Sequence, residues 1–252
     1  MGIPWKLWHP LTGLLVLGVL LGSCAPAAQP TPAPSKTPEV VAPSPIPARP
    51  TPVTTPSGEQ PRYGGILKSN NLEDPPHLEF TQVKSAYALQ PLNSIYSMLV
   101  QNDPQDETKI IPDLAERWEV SPDGKVYTFY LRKEVRFHDG QGLTSADVKV
   151  SIERFAWPPK GVISQMQGLF QGLDRIETPD PQTVVFVLKR PQASFLTIIA
   201  MPFFIVYPKH ILDAKGDMKK DAVGTGPFKL KEYTRGVSFE QVRNPDYFVP
   251  GR

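Results

Sequence analysis

A mixed α/β fold is predicted for residues 63–252 from three features: two strand-like runs around Ser121-Pro122-Asp123-Gly124, a capped amphipathic helix after Thr144, and an apolar strand-like run at 183–188. In WEVSPDGKVYTFYL, proline suits the second position of a reverse turn and glycine a position that favours positive φ, so a β-hairpin is expected. The following HDGQGLTSADVKVSIERF turns at Asp139-Gly140. It then offers Thr144 as a helix N-cap, with Asp147 three residues on as a short-acid form of the capping box. Val148, Ile152 and Phe155 share one face of that helix. Further on, TVVFVL lies between PDPQ and KRPQ and reads as a buried strand, and ASFLTIIA reads as a short apolar helix. Pro208 is placed to open another helix through HILDA. In VGTGPFKLKEY the two glycines permit a tight backbone just ahead of a strand.

The first 62 residues have a different character. Lys6 supplies a positive start, and Leu11 to Leu21 form an apolar run of signal-peptide length, shorter than the roughly 20 residues a membrane span requires. Leu21-Gly22-Ser23-Cys24 then sets small residues before the only cysteine of the chain, which has no intramolecular disulfide partner. This pattern resembles the lipobox of bacterial lipoproteins. The resemblance implies a signal peptide over 1–23 and a lipid anchor on Cys24; a plain secretory signal with a stray thiol is the alternative. From Ala25 to Arg62 there is no aromatic residue, and Pro, Ala, Thr and Ser dominate. Residues 24–62 are therefore expected to be a disordered tether, reaching on the order of 100 Å if extended as polyproline II.

Several function classes find no support in the residues. A formal net charge of +2 argues against nucleic acid as a partner. The run QNDPQDET groups Asp103, Asp106 and Glu107, but it is a proline-broken polar turn without the burial or close pairing that prepares catalytic carboxylates. His9, His77, His138 and His210 show no HxxxH or HExxH spacing, so no metal site is expected. There is no GxxxxGK[ST], GxGxxG or GxSxG, and no cofactor or enzymatic activity is expected.

The order of the pieces carries a more specific reading. PDLAERWEVSPDGKVYTFYLRKEVRFHDGQGLTSADVKVSIER resembles the signature region of the family 5 bacterial extracellular solute-binding proteins, the oligopeptide-, dipeptide- and nickel-binding lipoproteins of ABC importers. DRIETPDPQTVVFVLKRPQASFL, VYPKHIL, and VGTGPFKLKEY followed by RNPDYF agree in order and spacing. The resemblance implies a periplasmic-binding-protein-like type II fold of mixed α/β lobes. Residues 110–200 would form a small inserted lobe, and 63–109 and 201–252 would be pieces of a large lobe. It also implies an exported, membrane-anchored protein that captures peptides or similar small solutes for a permease and an ATPase subunit. Family members continue for about as many residues again, so the chain resembles the N-terminal half of such a protein, with sheet edges expected open around GGILK and FKLKEY. The second reading is a truncated, non-transporting surface lipoprotein with no complete cleft. By the resemblance, the loop within Asn71 to Ser85 lines the cleft, where Thr81 and Gln82 are placed to hydrogen-bond a ligand backbone. Gly224, Thr225 and Gly226 fall near the hinge as further, mainly structural, candidates, and Tyr87 and Tyr96 are expected to be packing residues.

Overall fold

A computed structural model describes residues 64–249. The signal peptide over 1–23, the lipid anchor at Cys24 and the tether over 24–62 lie outside the described residues. Among the described residues no helix is long and apolar enough to cross a membrane.

The centre of the fold is a four-stranded antiparallel sheet in the order β3-β4-β6-β5. Its strands are β3 (Ala115–Val120), β4 (Val126–Leu131), β5 (Leu173–Asp180) and β6 (Thr183–Leu188). The SPDG turn joins β3 to β4 as expected: Gly124 has φ 68°, and its N–H donates to the Ser121 carbonyl at 2.8 Å. In β4 the inward residues are Tyr127, Phe129 and Leu131, and in β6 they are Val184, Phe186 and Leu188. The TVVFVL run is thus the expected strand, with its burial confined to one face. Helix α2 (Ser145–Ala156) covers a single side of this antiparallel sheet, so period-two burial follows and Val185 and Val187 stay on the open face.

Helix α2 follows its sequence signals closely. One oxygen of the buried Asp147 carboxylate accepts from both the Thr144 N–H and the Thr144 hydroxyl, each at 2.8 Å. The other accepts from the Lys209 N–H at 2.8 Å, which ties the cap to α4 (Lys209–Lys215). Val148, Ile152 and Phe155 are all buried beneath the helix. Phe155 and Phe170 both meet Phe204 edge-on at about 5 Å, a favoured aromatic geometry. Helix α3 (Phe195–Ile199) forms within ASFLTIIA, and α4 starts after Pro208 and ends at Gly216, whose φ of 78° closes the helix.

Two hairpins flank this centre. QNDPQDET supplies a turn, as expected, but also the facing ends of β1 (Val100–Asp103) and β2 (Asp106–Pro112). FKLKEY lies in β7 (Phe228–Thr234), which among the described residues pairs only with β8 (Ser238–Arg243), and Phe228 and Val242 are exposed. GGILK is not a strand, and Ile66 and Leu67 are solvent-exposed. Position 110 falls inside β2 and position 200 caps α3, and one apolar core runs without a break from Leu78 to Ala222. The short helix α1 (Ala86–Leu89) precedes β1 and carries Tyr87 on its exposed side.

Candidate functional site

The turn at Phe80–Gln82 is a single 3-10 turn held from several sides. The Phe80 N–H donates to the Tyr207 hydroxyl at 2.7 Å, and the Gln165 N–H donates to the Thr81 carbonyl at 3.1 Å. Just before the turn, Glu79 is fully buried and accepts from Arg154 Nε at 2.8 Å. Its second oxygen accepts from the Met218 N–H at 3.4 Å, while Arg154 Nη2 donates to the Gly216 carbonyl at 3.0 Å. This ion pair joins the turn, α2 and the end of α4 in one low-dielectric spot. Such a pair contributes mostly by fixing geometry, because its Coulomb attraction is offset by desolvation.

Aromatic rings form the floor. Tyr96 packs edge-on against Phe80 at 5.6 Å and against Tyr207 at 5.8 Å. The expectation that Tyr96 packs is met, whereas Tyr87 stands out in solvent and packs little. Burial, and then the nearby Glu79 charge, push the Tyr207 phenol well above its ordinary pKa. It stays a neutral hydroxyl and is no base or nucleophile at physiological pH. Glu79 is committed to Arg154.

What the turn offers is unsatisfied hydrogen-bonding capacity. The buried Thr81 Oγ1, Gln82 Nε2 and Ser164 Oγ have no hydrogen-bond partner of adequate geometry among the described residues. The Thr81 hydroxyl lies near enough to Tyr207 to counter the rise in that phenol's pKa slightly. Buried polar atoms without partners are uncommon in folded proteins, and each costs about 1–3 kcal/mol when left so. Thr81 has no exposed surface and Gln82 is half-buried, so these residues do not lie on an open loop, and the Gln165 backbone is bonded to Thr81. The sequence showed Thr81 and Gln82 as candidates. It carried no signal for Ser164, Glu79 or Arg154, which are brought together only by tertiary packing.

Gly224, Thr225 and Gly226 pass close to the 94–96 segment. A Cβ at Gly226 would stand 2.5 Å from the Ser94 carbonyl oxygen, and one at Gly224 would collide with the Ile95 carbonyl. The Gly226 N–H donates to the Ile95 carbonyl at 2.8 Å, and the Phe228 N–H to that of Ser94 at 3.0 Å. Close backbone approach therefore accounts for both glycines. Thr225 is fully buried, and its Oγ1 also has no partner among the described residues. A separate surface cleft of about 320 Å³ lies at the end of α2, between Trp157, Gln167, Phe170 and Lys189.

The described residues thus form a one-sided antiparallel sheet with a capped helix over it and a polar turn bound into the same core. A model of the bacterial extracellular solute-binding proteins, family 5 Middle, matches residues 109–252, and the chain belongs to this family. It is 36% identical over 164 residues to di/tripeptide-binding protein 4 of Pseudomonas aeruginosa (strain UCBPP-PA14), covering 56% of this chain and 31% of that protein. It is 39% identical over 149 residues to the dipeptide-binding protein of Escherichia coli (strain K12), covering 51% and 28%. Among solved structures, the ABC transporter-associated periplasmic binding protein DppA from Helicobacter pylori, in complex with peptide STSA, superposes with TM-score 0.64 at 31% identity, over 70% of this chain and 38% of that one. The agropinic acid complex of AgaA from A. tumefaciens R10 gives TM-score 0.62 at 35% identity, over 71% and 35%. The chain spans about a third of the length of the relatives it matches. These relatives are binding proteins by name, and the chain shares their fold.

Proposed function

We propose that this chain serves as an extracytoplasmic substrate-binding lipoprotein of an ABC importer, exported, anchored through Cys24, and capturing peptides or similar small solutes for a permease and ATPase. The observation that carries the reading is the spare hydrogen-bonding capacity of one turn: among the described residues Gln82 Nε2 has no partner, the Thr81 hydroxyl has only the Tyr207 phenol beside it, and Ser164 Oγ, next in sequence to the Gln165 that bonds Thr81, is also without a partner. A hydroxyl both donates and accepts, and an amide nitrogen donates, which suits the neutral N–H and C=O groups of a peptide backbone. The di/tripeptide- and dipeptide-binding relatives, and the peptide complex of the H. pylori protein, support the ligand class. The chemistry is reversible binding without catalysis. The backbone at Gln165, bonded to the Thr81 carbonyl, must shift for a ligand to reach Thr81, and Gly224 to Gly226 set the backbone spacing against Ser94 and Ile95.

Calorimetry with defined di- and tripeptides, on protein isolated from the membranes of the cells that make it, tests this. Thr81→Val and Gln82→Ala are each expected to weaken peptide binding about fivefold, the worth of one net hydrogen bond of about 1 kcal/mol. Unchanged affinity in both variants contradicts the placement of the ligand at this turn. Absence of peptide binding by the wild type favours the non-transporting surface lipoprotein.

A further inference from the structure

His138 stands where four chain segments meet, and its two ring nitrogens face groups whose roles are fixed. The Gly224 N–H points at Nδ1 at 3.4 Å, and a backbone amide can only donate. The Gly226 carbonyl lies 3.0 Å from Nε2, and a carbonyl can only accept. Both contacts select one state, a neutral ring with its proton on Nε2. The same pair of residues is closed by backbone, since the His138 N–H donates to the Gly224 carbonyl at 2.9 Å. The Gly226 carbonyl also accepts from the buried Asn244 side chain at 3.0 Å, so the ring joins the 137–142 turn to the 224–228 segment and to the chain after β8.

We infer that His138 is a proton-sensitive latch, which holds Gly224 to Gly226 against the 137–142 turn while its ring is neutral and releases the Gly224 amide when Nδ1 takes a proton. The charged groups around it do not reverse this. Lys229, whose Nζ reaches the His138 carbonyl at 3.4 Å, disfavours a second positive charge. Asp139 favours one, but it is engaged with His210 at 2.7 Å. Asp246 sits 3.8 Å from Lys229 at the exposed rim, and Arg136 is bound to the Gly140 carbonyl at 3.0 Å. Ser94, Ile95, Tyr96 and Asn244 bring no charge to the remaining sides. Desolvation by burial is the largest influence, and it lowers the His138 pKa from 6.5. The latch is therefore whole above pH 6.5. It weakens as pH falls from there toward the lowered value, because the opened form takes up a proton that the closed form refuses.

The test is a histidine ring-nitrogen NMR titration of the labelled 252-residue chain, with amide hydrogen exchange followed in parallel. The expected result is an Nε2–H neutral ring at pH 7.5 and a titration midpoint below 6.5. With intrinsic exchange chemistry corrected, protection of the Gly224 amide should fall by up to about tenfold per pH unit within that window. The Gly226 amide, bonded to Ile95, should hold its protection, which separates a local latch from global unfolding. His210→Asn should leave this dependence in place, and His138→Gln, which keeps a donor and an acceptor without a titrating ring, should abolish it. If His138→Gln fails to fold, the wild-type titration decides. An Nδ1–H ring, a midpoint at or above 6.5, or flat Gly224 protection between pH 7 and 5 overturns the inference.

Discussion

Arg154→Met is expected to lower the stability of the folded unit by about 3–5 kcal/mol, because it leaves the Glu79 carboxylate in the core without its counter-charge. Both side chains are almost wholly enclosed, with 6% of Arg154 and none of Glu79 exposed, so water cannot take over the role of the guanidinium. The Gly216 carbonyl at the end of α4 loses its Arg154 donor in the same step. Chemical denaturation provides the readout. For a domain of this size the loss corresponds to a fall in Tm of roughly 10 °C. The double variant Glu79→Leu/Arg154→Met should recover a large part of that loss, since the penalty comes from the stranded charge rather than from a forfeited attraction. A single-variant loss below about 1 kcal/mol would show that the pair does not anchor the turn.

Gly226→Ala is expected to cost about 3 kcal/mol or more, at the upper end of overpacking effects. Its new methyl group would meet the Ser94 carbonyl oxygen at 2.5 Å, with carbonyl atoms of Ile95 at 2.6 and 2.7 Å. Backbone atoms cannot swing aside as the end of a long side chain can. The segment would have to lift away, breaking the Gly226 N–H bond to Ile95 and the Asn244 bond to the Gly226 carbonyl. Gly142→Ala provides the control, because a Cβ there meets nothing within 4 Å. Its effect should stay within about 0.5 kcal/mol. Equal stability of the two variants, measured by thermal denaturation, would remove close approach as the reason for glycine at 226.

The parts of the fold that were legible in the sequence are those with local causes. SPDG dictates its turn through Pro122 and Gly124, whose φ preferences suit its second and fourth positions, and Thr144 with Asp147 announces a helix start within four residues. The flanking strands β5 and β8 were not recognised, because each carries mostly charged or polar residues; in β5 only Leu173 and Ile176 are fully inward. For the same reason QNDPQDET read as a turn alone, although its ends pair with each other as β1 and β2. TVVFVL announces a buried strand by its apolar run, but nothing in it tells that one face alone is covered. Its outer valines are tolerated because β-branched side chains suit the open face of an antiparallel sheet.

The candidate site was legible as residue types and not as an arrangement. Thr81 and Gln82 lie in a stretch that resembles surface loop, and nothing nearby in sequence announces that the Gln165 N–H will bond to the Thr81 carbonyl. Glu79 and Arg154 stand 75 positions apart, beyond the reach of any periodicity. The glycines of VGTGPF could be recognised as a demand for space. The groups demanding it, the Ser94 and Ile95 carbonyls and the Tyr96 ring, come from a segment well over 100 positions away.

The most direct test of peptide capture at the 80–82 turn is photo-crosslinking with a dipeptide bearing a short diazirine side chain. The protein should be isolated from the membranes of the cells that make it, and the label mapped by peptide mass spectrometry. The account expects saturable labelling within residues 79–82 or 161–167 that free dipeptide competes away. Labelling that free dipeptide does not reduce, or that maps only to other segments, would contradict it.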